Sequence, residues 1–276
     1  MEINDDETPF SLTYMTYDPK TYDSYLETKI QKAMEQIGVP FATQKIPLEL
    51  FVSPSKNYRH RCRFGIERNT DGDIWYSMWE HGEPNIRINS FPLASTHINS
   101  SMQVLLQYLK NDPVLGDNIR AANFLSTSAG DLSISLIYAG PLPQAWHDRG
   151  ALLHQHLLHH EALLSQHTRV VGIIGRSKGL KVVVGREEVM ESFQLRSGPL
   201  LRYEQLPDAF SNPNPEVNRK SLDWLCDVIS GIPSLARSTS PPCPCLELLE
   251  LYCGNGNHTV ALAGGVCVMH NLSLHA

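Results

Sequence analysis

The residues best placed to do chemistry are Cys253-Gly254-Asn255-Gly256-Asn257, which follow the apolar run LELLELY and precede HTVALA. A strand, a glycine loop and a helix start in that order form the context in which a G-x-G pattern becomes a nucleotide or cofactor loop. Glycines permit positive φ and let backbone approach a ligand, while a helix start offers unpaired N–H groups, so an anionic or carboxylate-bearing ligand is suited. The third glycine of the dinucleotide fingerprint and the lysine of a phosphate loop are both missing. A tight strand-to-helix turn without a ligand is the competing reading.

Upstream, Arg59, Arg61 and Arg63 alternate, which on a strand puts them on one face, and Lys56, Tyr58 and Phe64 add a fourth cation and two rings. Such a face suits phosphate contact. A solvated edge strand kept soluble by charge is the alternative. Arg176, Lys178 and Lys181 surround a turn and fit either a second phosphate contact or plain surface. His147, His154, His156, His159, His160 and His167 crowd one helical stretch, and His156 with His160 has zinc-binding spacing. No H-E-x-x-H order exists and no nearby cysteine completes a set, so no metal is expected. Trp75 and Trp79, four apart on a strand, share a face and are expected in the core rather than as a base-stacking platform.

The elements that must position these groups come from 276 residues, 42% hydrophobic and 19% charged, which fits one large or two smaller globular domains. No run approaches the eighteen apolar residues of a bilayer span, so no membrane partner is expected. A formal charge of −6 means that a nucleic acid must be held by a local basic patch. Six cysteines without a C-x-x-C pair, behind the acidic start MEINDDETPF, point to free thiols and a cytoplasmic setting, with an organellar address left open.

Apolar spacing predicts a helix over Pro19–Ile37, antiparallel strands from Glu49 to Asn89 with a hairpin at Asp71-Gly72, and a helix from Pro92 to about Lys110. A hairpin at Ala129-Gly130-Asp131, a long helix over Gln144–Gln166 and the short strands VVGIIG, KVVVG and LRYEQL follow. Residues 20–206 therefore read as an α+β domain with mostly antiparallel sheet. In 207–263 a helix precedes a Ser/Pro-rich linker or insertion at 231–245. LELLELY, read as a fully buried strand, then opens the first β-loop-α unit of a doubly wound, Rossmann-like α/β domain that is incomplete.

The stretch LLELYCGNGN resembles the S-adenosylmethionine loop of the tRNA (uracil-5-)-methyltransferase family. SPSKNYRHRCRF looks like that family's S-P-x-x-x-Y-R-x-R segment, and INSFPLAS, NDPVL, SLIY, IIGR and FSNPN fall in the family's order. The resemblance covers about residues 20–263 and implies methylation of C5 of a T-loop uridine, position 54 of tRNA, with S-adenosylmethionine as cofactor and no metal. It implies cofactor contacts by Tyr252, Gly254, Gly256 and Asn257, and by Asn212, where the family often has Gln. Its RNA contacts would be Lys56, Arg59, Arg61 and Arg63, with no protein partner implied.

In this family a Cys thiolate adds at uracil C6, the enolate attacks the methyl group, and a base removes the C5 proton. The nucleophile sits in S-C-N-P, a further Asp in D-P-P-R, and the base is a later Glu. Neither motif occurs in the 276 residues, so no catalytic residue is assigned. Cys253 falls where the family also has a cysteine of structural role. GGVCVMHNLSLHA, at 264–276, resembles nothing in the family. The expectation is a family methyltransferase lacking its catalytic half and inactive as written; the alternative is a truncated, non-catalytic tRNA-binding protein.

Overall fold

The computed structural model describes residues 18–37, 49–80, 83–196, 198, 200–231, 247–251, 253–263 and 268–272. Most of the 231–245 linker, Tyr252 and most of the 264–276 tail lie outside them. After helix α1 (Tyr22–Ile37), strands β1 (Arg61–Arg68), β2 (Ile74–Glu80) and β3 (Glu83–Ile88) run antiparallel. The β1–β2 hairpin turns at Gly72, whose φ of 85° is the left-handed conformation that favours glycine. Asn69 Oδ1 holds the turn by accepting from the Asp73 N–H at 2.7 Å.

Strands β4 (Ile119–Ser126), β5 (Asp131–Tyr138), β6 (Arg169–Ser177) and β7 (Leu180–Gly185) complete a seven-stranded sheet in the order β3-β2-β1-β4-β5-β6-β7. Every neighbouring pair is antiparallel except β5 and β6, which are parallel. That pair needs a crossover, supplied by helix α4 (Trp146–Leu158) and the short α5 (Glu161–Leu164). The expected long helix over Gln144–Gln166 is thus broken: His159 caps the end of one segment and His160 the start of the next, its Nδ1 accepting from the Ala162 N–H.

Period-2 alternation decides which face is buried. Cys62, Phe64 and Ile66 of β1 are buried, and Phe64 packs its ring against Tyr76, Phe91 and Phe124 at centroid distances of 5.9 Å. Helix α2 (Thr96–Asn111) covers these rings with Ile98, Met102, Leu105 and Leu109. It is capped by Ser95, whose hydroxyl accepts from the Ile98 N–H, so Pro92 lies before the helix and not in its first turn. Helix α3 (Pro113–Gly116) follows α2. Trp146 of α4 is buried, donates to the Tyr138 hydroxyl at 3.0 Å and lies so close to Gly175 that a Cβ there would be 2.6 Å from the indole. Trp75 departs from its expected core place. It alternates with the buried Ile74 and Tyr76, so it is half-buried on the opposite face, with Arg87 5.1 Å from its ring centroid.

Strands β8 (Val189–Gln194) and β9 (Leu200–Gln205) form a separate hairpin. Phe193, Leu195, Leu201 and Tyr203 pack with Leu222 of helix α6 (Pro215–Ser230). A polar link ties this hairpin to the large sheet: the buried Glu191 carboxylate accepts from the Ser128 and Ser192 N–H groups, and Asp131 accepts from Arg169 Nε at 2.8 Å and the Met190 N–H at 3.3 Å.

Strand β10 (Glu247–Leu251), helix α7 (Asn257–Leu262) and strand β11 (Val268–Leu272) form a β-α-β unit with parallel strands. Leu249 and Leu251 are 56% and 57% exposed, against the expectation of a strand buried on both faces. Among the described residues β10 has one neighbour strand, and no layer covers the leucine face.

Burial pushes the Glu191 carboxyl up from 4.5 to about 7. Because the folded value lies above the unfolded one, the group's contribution is intact below about pH 4.5 and is lost as pH rises through about 7. Glu191→Gln keeps an acceptor and cannot ionise. It should gain roughly 1–3 kcal/mol on the wild type between about pH 5 and about pH 8. Urea unfolding across that range measures it, and parallel profiles for the two proteins would contradict it.

Candidate functional site

The glycine loop is built as its composition requires. Gly254 and Gly256 have φ of 55° and 75°, and the Gly256 N–H donates to the Cys253 carbonyl at 2.8 Å. A Cβ on Gly254 would stand 3.0 Å from the Phe210 carbonyl oxygen, so the loop lies directly on the segment that joins β9 to α6. Between them is a cavity of about 170 Å³ lined by Phe210, Asn212, Glu250, Asn255, Asn257 and His258, among others.

Its polar groups divide into anchored and unpartnered. Asn257 is anchored: its Oδ1 accepts from the Tyr203 hydroxyl at 3.0 Å and from Asn218 Nδ2 at 2.7 Å, and its own Nδ2 donates to Asn218 Oδ1 at 2.7 Å. That reciprocal amide pair fastens α7 to α6, and the Tyr203 hydroxyl fastens it to β9. Glu250 spans the loop by accepting from His258 Nδ1 at 3.1 Å and from the Thr259 hydroxyl. Asn212 Oδ1 closes a local turn with the Asn214 N–H at 3.0 Å. Asn255 Nδ2 is buried and has no hydrogen-bond partner. The sequence places Asn255 in the loop without assigning it a contact, although its position between the two glycines is the available signal. Phe210 lines the same cavity with its side chain largely exposed.

Of the other cysteine thiols described, Cys62 is pushed up to about 12 by burial, and Cys226 is raised by burial and the nearby Asp223 and Asp227. Neither is poised as a nucleophile. Cys253 lines the cavity beside the loop.

The four expected RNA-binding cations separate into two kinds. Lys56, Arg59 and Arg63 are exposed. Arg61 is half-buried, and its guanidinium donates to the carbonyl of Ala209 at 2.7 Å, to the Ser211 hydroxyl at 3.0 Å and to the Pro207 carbonyl. It therefore clamps the segment that carries Phe210 and Asn212. Arg176 and Lys181 pair with Glu187 and Asp208, so carboxylates meet the cations of that second turn.

The histidine-rich stretch brings His156 and His160 to 5.3 Å between ring centroids, with Tyr108 on the other side of His156. Among the described residues no three His, Cys, Asp or Glu side chains group as metal ligands. A larger cavity of about 580 Å³ lies between the Pro54–His60 loop, the start of α2, β8 and the start of α6. Burial, and then the neighbouring His97, lowers the His60 imidazole to about 4, so it is neutral at pH 7.

Comparison with known proteins agrees with these features. The sequence pattern of the tRNA (uracil-5-)-methyltransferase family matches residues 21–270, past Ala263 and into β11. The tRNA/tmRNA (uracil-C(5))-methyltransferase of Acinetobacter baylyi is 36% identical over 250 residues, 88% of this chain and 61% of that protein. Its namesakes from Shewanella loihica and Pseudomonas aeruginosa are each 36% identical, over 89% and 90% of this chain and 61% of theirs. The chain thus spans about three-fifths of the length of the curated relatives it matches. The Pyrococcus abyssi tRNA (uracil-54, C5)-methyltransferase, solved in complex with S-adenosyl-L-homocysteine, shares the fold with a TM-score of 0.50 and 15% identity. That likeness covers 77% of this chain and 48% of the other. By the extent of the family match, this chain belongs to the tRNA (uracil-5-)-methyltransferase family.

Proposed function

We propose that these residues form the RNA-binding part and the first cofactor-binding unit of an enzyme that methylates C5 of a tRNA uridine from S-adenosylmethionine. The observation that carries the reading is the family-type glycine loop, folded against Phe210 with the unpartnered Asn255 amide in the cavity between them. Gly254 and Gly256 offer backbone approach, Asn255 and Asn212 offer amide donors, and the exposed Phe210 ring offers an apolar surface for the cofactor. Tyr252 belongs to the same set by its place in the loop. When bound there, S-adenosylmethionine supplies an electrophilic methyl group. Asn257 acts by holding α7 in place.

The RNA reading rests on Lys56, Arg59 and Arg63, exposed at the start of β1, with Arg61 keeping the neighbouring segment in register. The T-loop uridine at position 54 is the target we infer, in line with the name of the Pyrococcus relative. A cytoplasmic setting goes with it, since the described cysteines Cys62, Cys226 and Cys253 are all free. The 276 residues contain neither S-C-N-P nor D-P-P-R, so we assign none of their cysteines as the thiolate that adds at C6 and infer that these residues by themselves bind without methylating.

Labelled methyl groups from S-adenosylmethionine should not pass to unmodified tRNA in the presence of this chain alone, and RNA carrying 5-fluorouracil should form no covalent adduct. An adduct that disappears in Cys253→Ser would assign that thiol a catalytic part and overturn the inactive reading.

Replacing Arg59 and Arg63 together by Ala should weaken tRNA binding and reduce the slope of log affinity against log salt by about one per arginine. Filter binding from low to moderate salt measures it, and an unchanged slope would return these residues to a solvated edge.

For the cofactor, S-adenosylhomocysteine should shift the amide resonances of Gly254 and Gly256. Asn255→Ala should cut that affinity roughly five- to tenfold, as expected for one lost hydrogen bond. Equal affinity in the variant would remove Asn255 from the site.

A further inference from the structure

The face of the large sheet turned away from α2 and α4 carries an unusual set of side chains at its centre. Register pairs Arg61 with Leu125 and Leu125 with Ser133, and in the next row Arg63 with Asn123 and Asn123 with Ser135. Neighbouring strands are about 4.8 Å apart, so each row runs from an arginine on β1 to a serine on β5 across roughly 10 Å, within reach of an arginine side chain. Pro207, at the end of the Arg61 clamp, closes one side and leaves a cavity of about 310 Å³.

Donors dominate the lining. Arg59 and Arg63 stand at the rim; among the described residues neither pairs with a carboxylate, Arg59 donating to the Arg61 carbonyl and meeting the Cys62 thiol, and Arg63 donating to Asn123 Oδ1. No Asp or Glu lines the cavity. On the floor Ser133 is 1% exposed and its hydroxyl has no hydrogen-bond partner, an arrangement that costs stability unless something in the cavity meets it. Asn123 Oδ1 is taken by Arg63, which leaves its amide N–H₂ as the group to offer. A nucleobase edge alternates donors and acceptors; this lining asks for a ligand made of acceptors.

We propose that the cavity is a phosphate subsite that holds one phosphodiester of the RNA backbone. Its oxygens accept from Arg59 and Arg63 at the rim and from Ser133 and Asn123 on the floor. The identity of the ligand rests on the reading that this chain binds RNA; the anion chemistry of the cavity does not. Because Pro207 borders this cavity and Phe210 borders the cofactor cavity, a phosphate here fixes the RNA at a set distance from the glycine loop.

The experiment uses the full chain with a T-arm stem-loop RNA, and the variants Asn123→Asp, which places a carboxylate on the floor, and Ser133→Ala. We expect Ser133→Ala to weaken RNA binding about three- to tenfold. Asn123→Asp should weaken it further and lower the salt slope by about one. A scan of single neutral methylphosphonates along the RNA should find one position whose substitution weakens wild-type binding and has no further effect in Asn123→Asp. If RNA binds with a steep salt slope, but both variants match the wild type and no such position exists, the subsite is wrong while the RNA reading stands. If RNA does not bind at all, titration with inorganic phosphate decides the cavity alone. Saturable shifts of the Ser133 and Asn123 amides, lost in Asn123→Asp, would keep it as an anion site, and their absence would sink it.

Discussion

The Arg61 guanidinium is the interaction on which the arrangement of both sites depends. It leaves β1 on the face opposite the core and donates to two carbonyls and a hydroxyl between Pro207 and Ser211. Those five residues are the middle of the passage from the β8–β9 hairpin to helix α6, where Asp208 is also held by Arg176. Arginine suits the position because its fork of N–H groups reaches several acceptors at once while remaining charged under burial. Burial does lower its pKa, and the nearby Asp208 opposes that shift. Lysine at the same place would supply one rotating ammonium, and the carbonyls would be met one at a time.

From this clamp the geometry propagates by close contact rather than by long-range force. The Phe210 carbonyl oxygen lies only 3.0 Å from where a Cβ on Gly254 would stand, so the clamped segment and the glycine loop are in close contact. Asn257 and Asn218 then lock the loop's helix to α6 from the other side. The cofactor cavity is therefore bounded by two fixed walls, and Asn255, among the described residues the one buried side-chain amide without a partner, stands between them. A buried donor left unmatched in an otherwise satisfied site is what a ligand acceptor would meet.

Much of this was legible in the sequence because it rests on local chemistry. Asp71-Gly72 and Ala129-Gly130-Asp131 are turns by residue type, and the alternation RCRFGIE assigns one face of β1 to the core. The errors share a cause: they concern what lies across from a residue. Alternation places Trp75 on a face but cannot say that this face is open at β2. Three alternating arginines look equivalent until the chain returns 146 to 150 residues later to occupy one of them. The apolar character of LELLELY predicts burial on both faces, whereas Leu249 and Leu251 face outward among the described residues. Likewise His160 reads as one more helical residue, although its ring nitrogen starts a new helix. The parallel partner Val268–Leu272 was missed because its sequence, VMHNL, has no alternation to announce a strand.

Net charge is uninformative for a related reason. A formal −6 does not say where a local basic patch lies, and among the described residues five acids, Asp112, Asp131, Glu191, Asp223 and Glu250, are buried and locally committed. Asp112 accepts from the Val114 and Leu115 N–H groups and from Arg149; Asp131 meets Arg169; Asp223 takes the Arg196 N–H and the Arg219 guanidinium; Glu250 braces the glycine loop. A carboxylate matched at contact distance contributes little field beyond a Debye length of about 8 Å at physiological salt. None of these acids lines the cavity beneath Arg59 and Arg63. The potential that an approaching phosphate meets is set by the side chains within that length, so a chain acidic as a whole presents a basic floor where strand register gathers its arginines.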